Sequence, residues 1–220
     1  MLATIGFLLT GLCFGLFAYT FETLVIEKTK LKLKQFSYAF YCLALAMLIW
    51  SVAASIGSFE ALRHSVYVGE ALLLVGTIFM LDILLGPKRR YWLFVAIALG
   101  IVLLILRVQH FTPTPYMRGE ILIFNTQIAV GAVIGLLFAL VWLPASLHVA
   151  KKVTHKIGQD SIASIYSSIY VAATFAALIF IAARRTVTVV LSFIAVGICF
   201  LLLIRSNILV AQLLEKHHGK

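Results

Sequence analysis

Between Arg63 and Gly86 the chain reads RHSVYVGEALLLVGTIFMLDILLG, a run long and apolar enough to cross a bilayer as a helix. A carboxylate, Glu70, sits well inside it. Glu70 lies about 10 Å of helix rise beyond Arg63, at hydrocarbon depth, where an ionised carboxylate turned to lipid costs several kcal/mol. Such a side chain has to face protein or water. At about 100° per residue, Arg63, Tyr67, Glu70 and Thr77 share one stripe of the helix and Asp82 falls well off it. The segment is therefore expected to turn one polar face inward.

Composition places the whole chain with this segment. It is 63% hydrophobic and 12% charged, where a soluble domain carries about 25% charge. An integral membrane protein is expected, and the net charge of +10 is then a matter of orientation rather than of nucleic-acid binding. Cys13, Cys42 and Cys199 all fall in apolar segments and form no CxxC, so they read as small buried hydrophobes. The amino terminus has neither a basic n-region nor a small-residue cleavage pattern and reads as a retained first span.

Seven apolar segments can be marked: Leu2–Thr23, Phe36–Ile56, His64–Leu85, Tyr91–Leu106, Glu120–Leu147, Ser161–Ala183 and Thr186–Ile204. The connections are short, so the expectation is one all-α, seven-helix membrane bundle over residues 1–206 followed by a short cytoplasmic tail, 207–220. The fourth segment is apolar all round and is expected at the lipid-facing periphery. Of the 18 lysines and arginines, all but Arg63, Arg107, Arg118, Arg184 and Arg185 follow the first, third, fifth or seventh segment. By the positive-inside rule the amino terminus is outside and the carboxyl terminus cytoplasmic, as in a multi-pass protein of a prokaryotic inner membrane. Gly11 and Gly15, Gly69 and Gly76, and Gly131 and Gly135 offer places of close helix approach. In the sixth segment, SIASIYSSIY puts Ser161, Ser164 and Ser168 on one face and Tyr166 and Tyr170 on another, a run taken as packing.

With that orientation, polar residues collect at one depth in the outer third. They include Trp50, Ser51 and Ser55; Tyr67 and Glu70; Asn125 and Gln127; and Arg185, Thr188 and Ser192. The candidate ligand-binding set is Glu70, Tyr67, Arg63, Trp50, Ser51, Gln127, Arg185 and Thr188, forming an outward-facing polar cavity centred on Glu70 with Arg63 or Arg185 as its charge partner. The competing reading is a buried ion-pair network that fixes helix register without a ligand. Enzyme chemistry finds no foothold. There is no HExxH, GxSxG or Walker loop, the six histidines do not face one another as haem ligands would, and the last segment has no lysine for a retinal Schiff base. His148 and His155 lack an acidic or thiol third ligand, so no metal and no cofactor is assigned.

The second segment, FSYAFYCLALAMLIWSVAASI, follows a short basic loop and carries an Ala/Leu-rich run, LALAMLIW, ending at Trp50. Together with the span layout, this resembles the seven-helix amino-terminal sensor region found on many bacterial histidine kinases and related signalling proteins. The resemblance implies a sensor of a ligand or of membrane state, whose outer half receives the signal and whose last helix passes it inward. The chain departs from that pattern after the seventh segment, where only RSNILVAQLLEKHHGK follows. A separate cytoplasmic partner, or a homo-oligomer, is then expected to carry the output. Two other readings stand beside the sensor: a small proton- or cation-coupled carrier or channel using Glu70, and an accessory subunit of a larger membrane complex.

Overall fold

The computed structural model describes residues 2–27, 33–85, 94, 97–102, 105, 116–118, 121–123, 128–157, 160–182 and 185–218. α1 (Leu2–Thr20) runs into a π turn, Phe21–Ile26; α2 is Lys34–Ile56 and α3 is Phe59–Leu85. α4 (Ile128–Leu137), a second π turn (Phe138–Trp142) and α5 (Leu143–Ile157) follow one another without a gap, and α6 (Asp160–Ala182) and α7 (Thr186–His218) complete the chain. Five of these helical stretches are long and apolar enough to cross a membrane: Ala3–Ile26, Lys34–Ile56, Phe59–Leu85, Val130–His155 and Val187–Glu215. Ser164–Ile179 is a shorter apolar stretch. Among the described residues the architecture is helical apart from one short strand pair, and is that of a multi-pass membrane protein.

Local chemistry accounts for the ends of the elements. Gly57 terminates α2 at φ +70°, a left-handed conformation open to a residue without Cβ, and its N–H donates to the Ala53 carbonyl at 3.0 Å. Ser58 then caps α3, its hydroxyl oxygen accepting the Ala61 N–H at 3.2 Å. This tight reversal lays α2 and α3 antiparallel along their whole length. Pro144 shapes the second π turn, because its ring crowds the carbonyl of Leu140 and it has no N–H to return. The helix widens ahead of it, and the Leu143 N–H reaches the Phe138 carbonyl, five residues back.

Two expectations about boundaries change. Within the fifth segment, Ile121–Ile123 pairs antiparallel with Tyr116–Arg118, Tyr116 opposite Ile123, and among the described residues the helix is Ile128–Leu137. The Ile-Leu-Ile run is richer in strand-favouring side chains than in helix formers, and a continuous apolar run does not by itself distinguish the two. α7 continues through residues 207–218, so the segment read as a tail prolongs the last helix. Of the fourth segment, residues 97–102 are helical; Ile97, Ile101 and Val102 are exposed, and Gly100 packs against Leu74 of α3.

The helices form a closed ring in the order α1, α2, α3, α4–α5, α6, α7 and back to α1. Lipid cannot drive the association of apolar helices, so close packing and interhelical hydrogen bonds have to hold the ring. Gly11 and Gly15 of α1 receive Ala44 of α2, and Gly135 of α4 meets Leu178 of α6. Phe17 lies at the centre of an aromatic cluster, with the rings of Phe36, Phe40, Tyr170 and Phe200 edge-on to it at centroid distances of 4.8–6.1 Å. Such pairs contribute about 0.5–1.5 kcal/mol each beyond the area they bury. The outward faces are equally apolar: Val187, Leu191, Ile194, Ile198 and Leu201 form an exposed stripe along α7.

Below the aromatic cluster, three helices share one buried polar knot. The Tyr166 hydroxyl of α6 donates to Asn207 Oδ1 at 2.5 Å, and Asn207 Nδ2 donates to Thr20 Oγ1 of α1 at 3.0 Å. Thr20 passes its own proton to the Phe17 carbonyl, so every member has a partner. Asn207 is 0% exposed. Asn207→Leu takes the acceptor from the Tyr166 hydroxyl and one of two partners from Thr20, and should lower stability by about 1–3 kcal/mol in denaturant titrations in mixed micelles. Tyr166→Phe should cost less, and an unchanged Asn207→Leu midpoint would show the knot to be dispensable.

Candidate functional site

The ring encloses a cavity, and two tryptophans frame it. α3 carries Gly69 and Gly76 on one face, and each receives an indole from a neighbouring helix. Trp50 of α2 lies across Gly69 so closely that a Cβ there would come within 2.5 Å of its ring. The indole N–H donates to the Ser65 carbonyl at 2.8 Å, holding the ring to α3. Trp142 lies over Gly76 in the same way, 3.0 Å from where a Cβ would stand. Its N–H donates to Thr77 Oγ1 at 2.9 Å, and the Thr77 hydroxyl donates to the Leu73 carbonyl at 2.8 Å. Thr77 is 0% exposed. The π turn sets Phe138 and Trp142 one above the other, stacked at 5.4 Å, with both lining the cavity.

All the packed helices contribute to the cavity wall. Phe40 and Trp50 come from α2, Gly69 and Glu70 from α3, Phe138 and Trp142 from the second π turn, Tyr170 and Thr174 from α6, and Phe200 from α7, with Phe14 of α1 closing the ring. The volume is about 120 Å³, far more than one water requires. The lining is overwhelmingly aromatic and aliphatic; Glu70, Ser146, Tyr170 and Thr174 supply its polar side chains. Thr174 returns its hydroxyl proton to the Tyr170 carbonyl at 2.8 Å. Tyr170 is only 3% exposed, and its hydroxyl has no hydrogen-bond partner among the described residues.

The structure therefore places Glu70 and Trp50 on one cavity, but the cavity is an aromatic chamber with a few polar points rather than the polar pocket expected. The other candidates lie elsewhere. Ser51 is buried between helices, its hydroxyl donating to the Thr4 carbonyl of α1 at 2.8 Å. Tyr67 and Arg63 are half-buried on α3, outside the cavity lining. Trp50 and Phe193 both pack on Phe7, which marks the level of Glu70 on α7. Arg185 precedes Phe193 by about 12 Å of helix rise and is exposed, and Thr188 is half-buried, its backbone carbonyl accepting the Ser192 hydroxyl of the same helix at 2.7 Å. Matching depths along separate segments overlooked how far each helix slides against the next. Gln127 and Asn125 fall outside the described residues.

Sequence reasoning missed Trp142 and Phe200, and it placed Thr77 and Tyr170 on helix faces without assigning them to the site. Phe138 and Trp142 stand four apart in one apolar span, and Tyr166 and Tyr170 four apart in another, each a large-ring pair on one helix face. That spacing was the available signal; in an all-apolar helix it does not tell the inward face from the lipid face. Comparison of the chain with family models, with curated proteins and with solved structures finds no match.

Gly69→Ala should displace the Trp50 ring and break its bond to Ser65. Destabilisation of about 1–3 kcal/mol, with a shifted tryptophan emission maximum, is expected in detergent unfolding experiments. Wild-type stability and emission in this variant would mean that the indole is not held against α3.

Proposed function

We propose that this chain is a non-enzymatic membrane sensor module. In this reading it crosses a prokaryotic inner membrane seven times with its amino terminus outside, takes a small molecule or lipid into the central cavity from the outer half, and signals to a separate cytoplasmic partner. One observation carries the reading: a single cavity is walled by every packed helix, so an occupant touches all of them at once. The proposed output path is α7. It contributes Val196 and Phe200 to the cavity, and it is tied through Asn207 to α6 and α1 before running on to His218. A ligand moves this helix only if it binds two packings of the ring with different affinities; tight binding alone shifts nothing. Glu70, on the cavity wall, is the proposed ligand-orienting group.

A specific observation favours a second reading. The Phe138–Trp142 π turn lies in a continuous spanning helix beside the cavity, and such turns are frequent at functional sites, which fits a carrier using Glu70 as well as a sensor. Flux separates the two.

Thermal unfolding in nanodiscs against a panel of membrane-soluble small molecules tests the sensor reading. A true occupant at about 100 times its dissociation constant stabilises the protein by about 2.7 kcal/mol. Ala173→Leu, which fills the cavity from α6, should abolish that response, and Glu70→Gln should weaken it for molecules that reach the carboxylate. A response that survives cavity filling places the ligand elsewhere. Solute flux into proteoliposomes that is lost in Glu70→Gln would replace the sensor with the carrier.

A further inference from the structure

The walls of the central cavity narrow what it accepts, on the reading above that it receives a ligand. Seven of its twenty described lining residues carry aromatic rings, and several of these rings stand at steep angles to one another. Phe40 meets Trp142 at 90° with centroids 5.7 Å apart, Phe14 meets Phe200 at 65° and 4.5 Å, and Phe40 meets Phe200 at 59° and 5.6 Å. Rings inclined in this way do not all turn their edges to the space they share, so π faces form part of its boundary. A π face carries the negative part of the ring quadrupole and attracts a cation, most strongly where water is excluded. Leucine or isoleucine would hold an apolar guest as well, so attraction for a cation is what the rings add.

The polar groups fix the kind of cation. A metal ion or a primary ammonium needs several oxygen acceptors around it. Here the Thr174 hydroxyl is turned to the Tyr170 carbonyl, Ser146 offers one hydroxyl, and Glu70 has an interaction of its own. Both indole N–H groups are spent on Ser65 and Thr77, and no lysine, arginine or histidine stands among the described lining residues, so beyond the Ser146 hydroxyl little is provided to hold an anion. A quaternary ammonium has no N–H to satisfy, and its charge is spread over its methyl groups, so rings alone can hold it. An apolar cavity of about 150 Å³ takes the six carbons of benzene, which scales to about five non-hydrogen atoms for the 120 Å³ here. Tetramethylammonium is of that size. We infer that the cavity binds a small quaternary ammonium cation, recognised through cation–π contact by the rings of Phe14, Phe40, Trp142 and Phe200. These rings carry the recognition whatever partner Glu70 keeps.

Tetramethylammonium and neopentane share one shape and differ in charge, and together they test this. Equilibrium dialysis for the first and headspace measurement for the second compare the amount held by nanodiscs carrying the protein with that held by empty nanodiscs. Fluorinated tryptophan, incorporated throughout a Trp92→Phe variant, draws electron density from the faces of Trp50 and Trp142 and keeps their N–H groups. The expected result is that fluorination lowers tetramethylammonium affinity about two- to fivefold and leaves neopentane unchanged. Phe200→Leu, which removes a ring and keeps the wall apolar, should lower tetramethylammonium affinity at least as much, and it decides should the fluorinated protein fail to fold. Retention of neopentane alone, or tetramethylammonium binding that the ring changes leave unaltered or lower only in step with neopentane, overturns the cation–π inference while the cavity stands as a ligand site. Retention of neither probe above empty nanodiscs overturns the ligand-site reading along with it.

Discussion

Two indoles braced against one helix keep the interior of this bundle open. Helices in lipid gain nothing from hiding apolar surface, so a ring of them closes on itself until side chains meet, and a void persists only where rigid groups stand in the way. Trp50 and Trp142 are such groups. Each is pinned at one end by a hydrogen bond to α3 and pressed over a glycine that leaves room for it. Between them the helices cannot approach to the distance that smaller side chains would allow. The chamber is thus a consequence of Gly69 and Gly76, spaced two turns apart on α3, as much as of the side chains that line it.

The rest of the fold follows from that brace. The Gly57–Ser58 reversal brings Trp50 within reach of α3, and the Pro144-induced widening turns Phe138 and Trp142 together onto the opposite side. Beneath the chamber the aromatic cluster around Phe17 forms a floor, and beneath the floor the Tyr166–Asn207–Thr20 knot locks α6, α7 and α1 together. The polar knot is fully satisfied and specifies helix register. The chamber above it has Glu70 on its wall.

Much of this architecture was legible in the residues. Long apolar runs reported membrane helices, and the 3.6-residue period turned Glu70 and Thr77 inward together, as they lie. The pairing of Tyr116–Arg118 with Ile121–Ile123 was not legible, because a strand and a helix of the same apolar composition differ only through their neighbours. Nor was the aromatic lining. In a soluble protein an inward face declares itself by contrast with a polar outer face, whereas here Leu9, Val52 and Phe175 are exposed and as apolar as anything inside. Asn207 escaped notice for a different reason: a lone amide past the last apolar run reads as the start of a soluble tail, and its burial depends on α1 and α6, far away in sequence. Arg185 stands well along α7 from the level of Glu70, because the Phe7 contacts with Trp50 and Phe193, rather than the helix starts, set the slide of the helices.

The central claim is that a stable apolar chamber exists between Trp50 and Trp142. Xenon is the most direct probe of it, since the gas is chemically indifferent and settles in apolar voids of this size. Crystals or frozen particles of the protein equilibrated under xenon pressure should show one strong anomalous or density peak between the two indoles, flanked by Phe40 and Phe200. A filled, collapsed interior, with xenon found only among the lipid-facing side chains, would contradict the account.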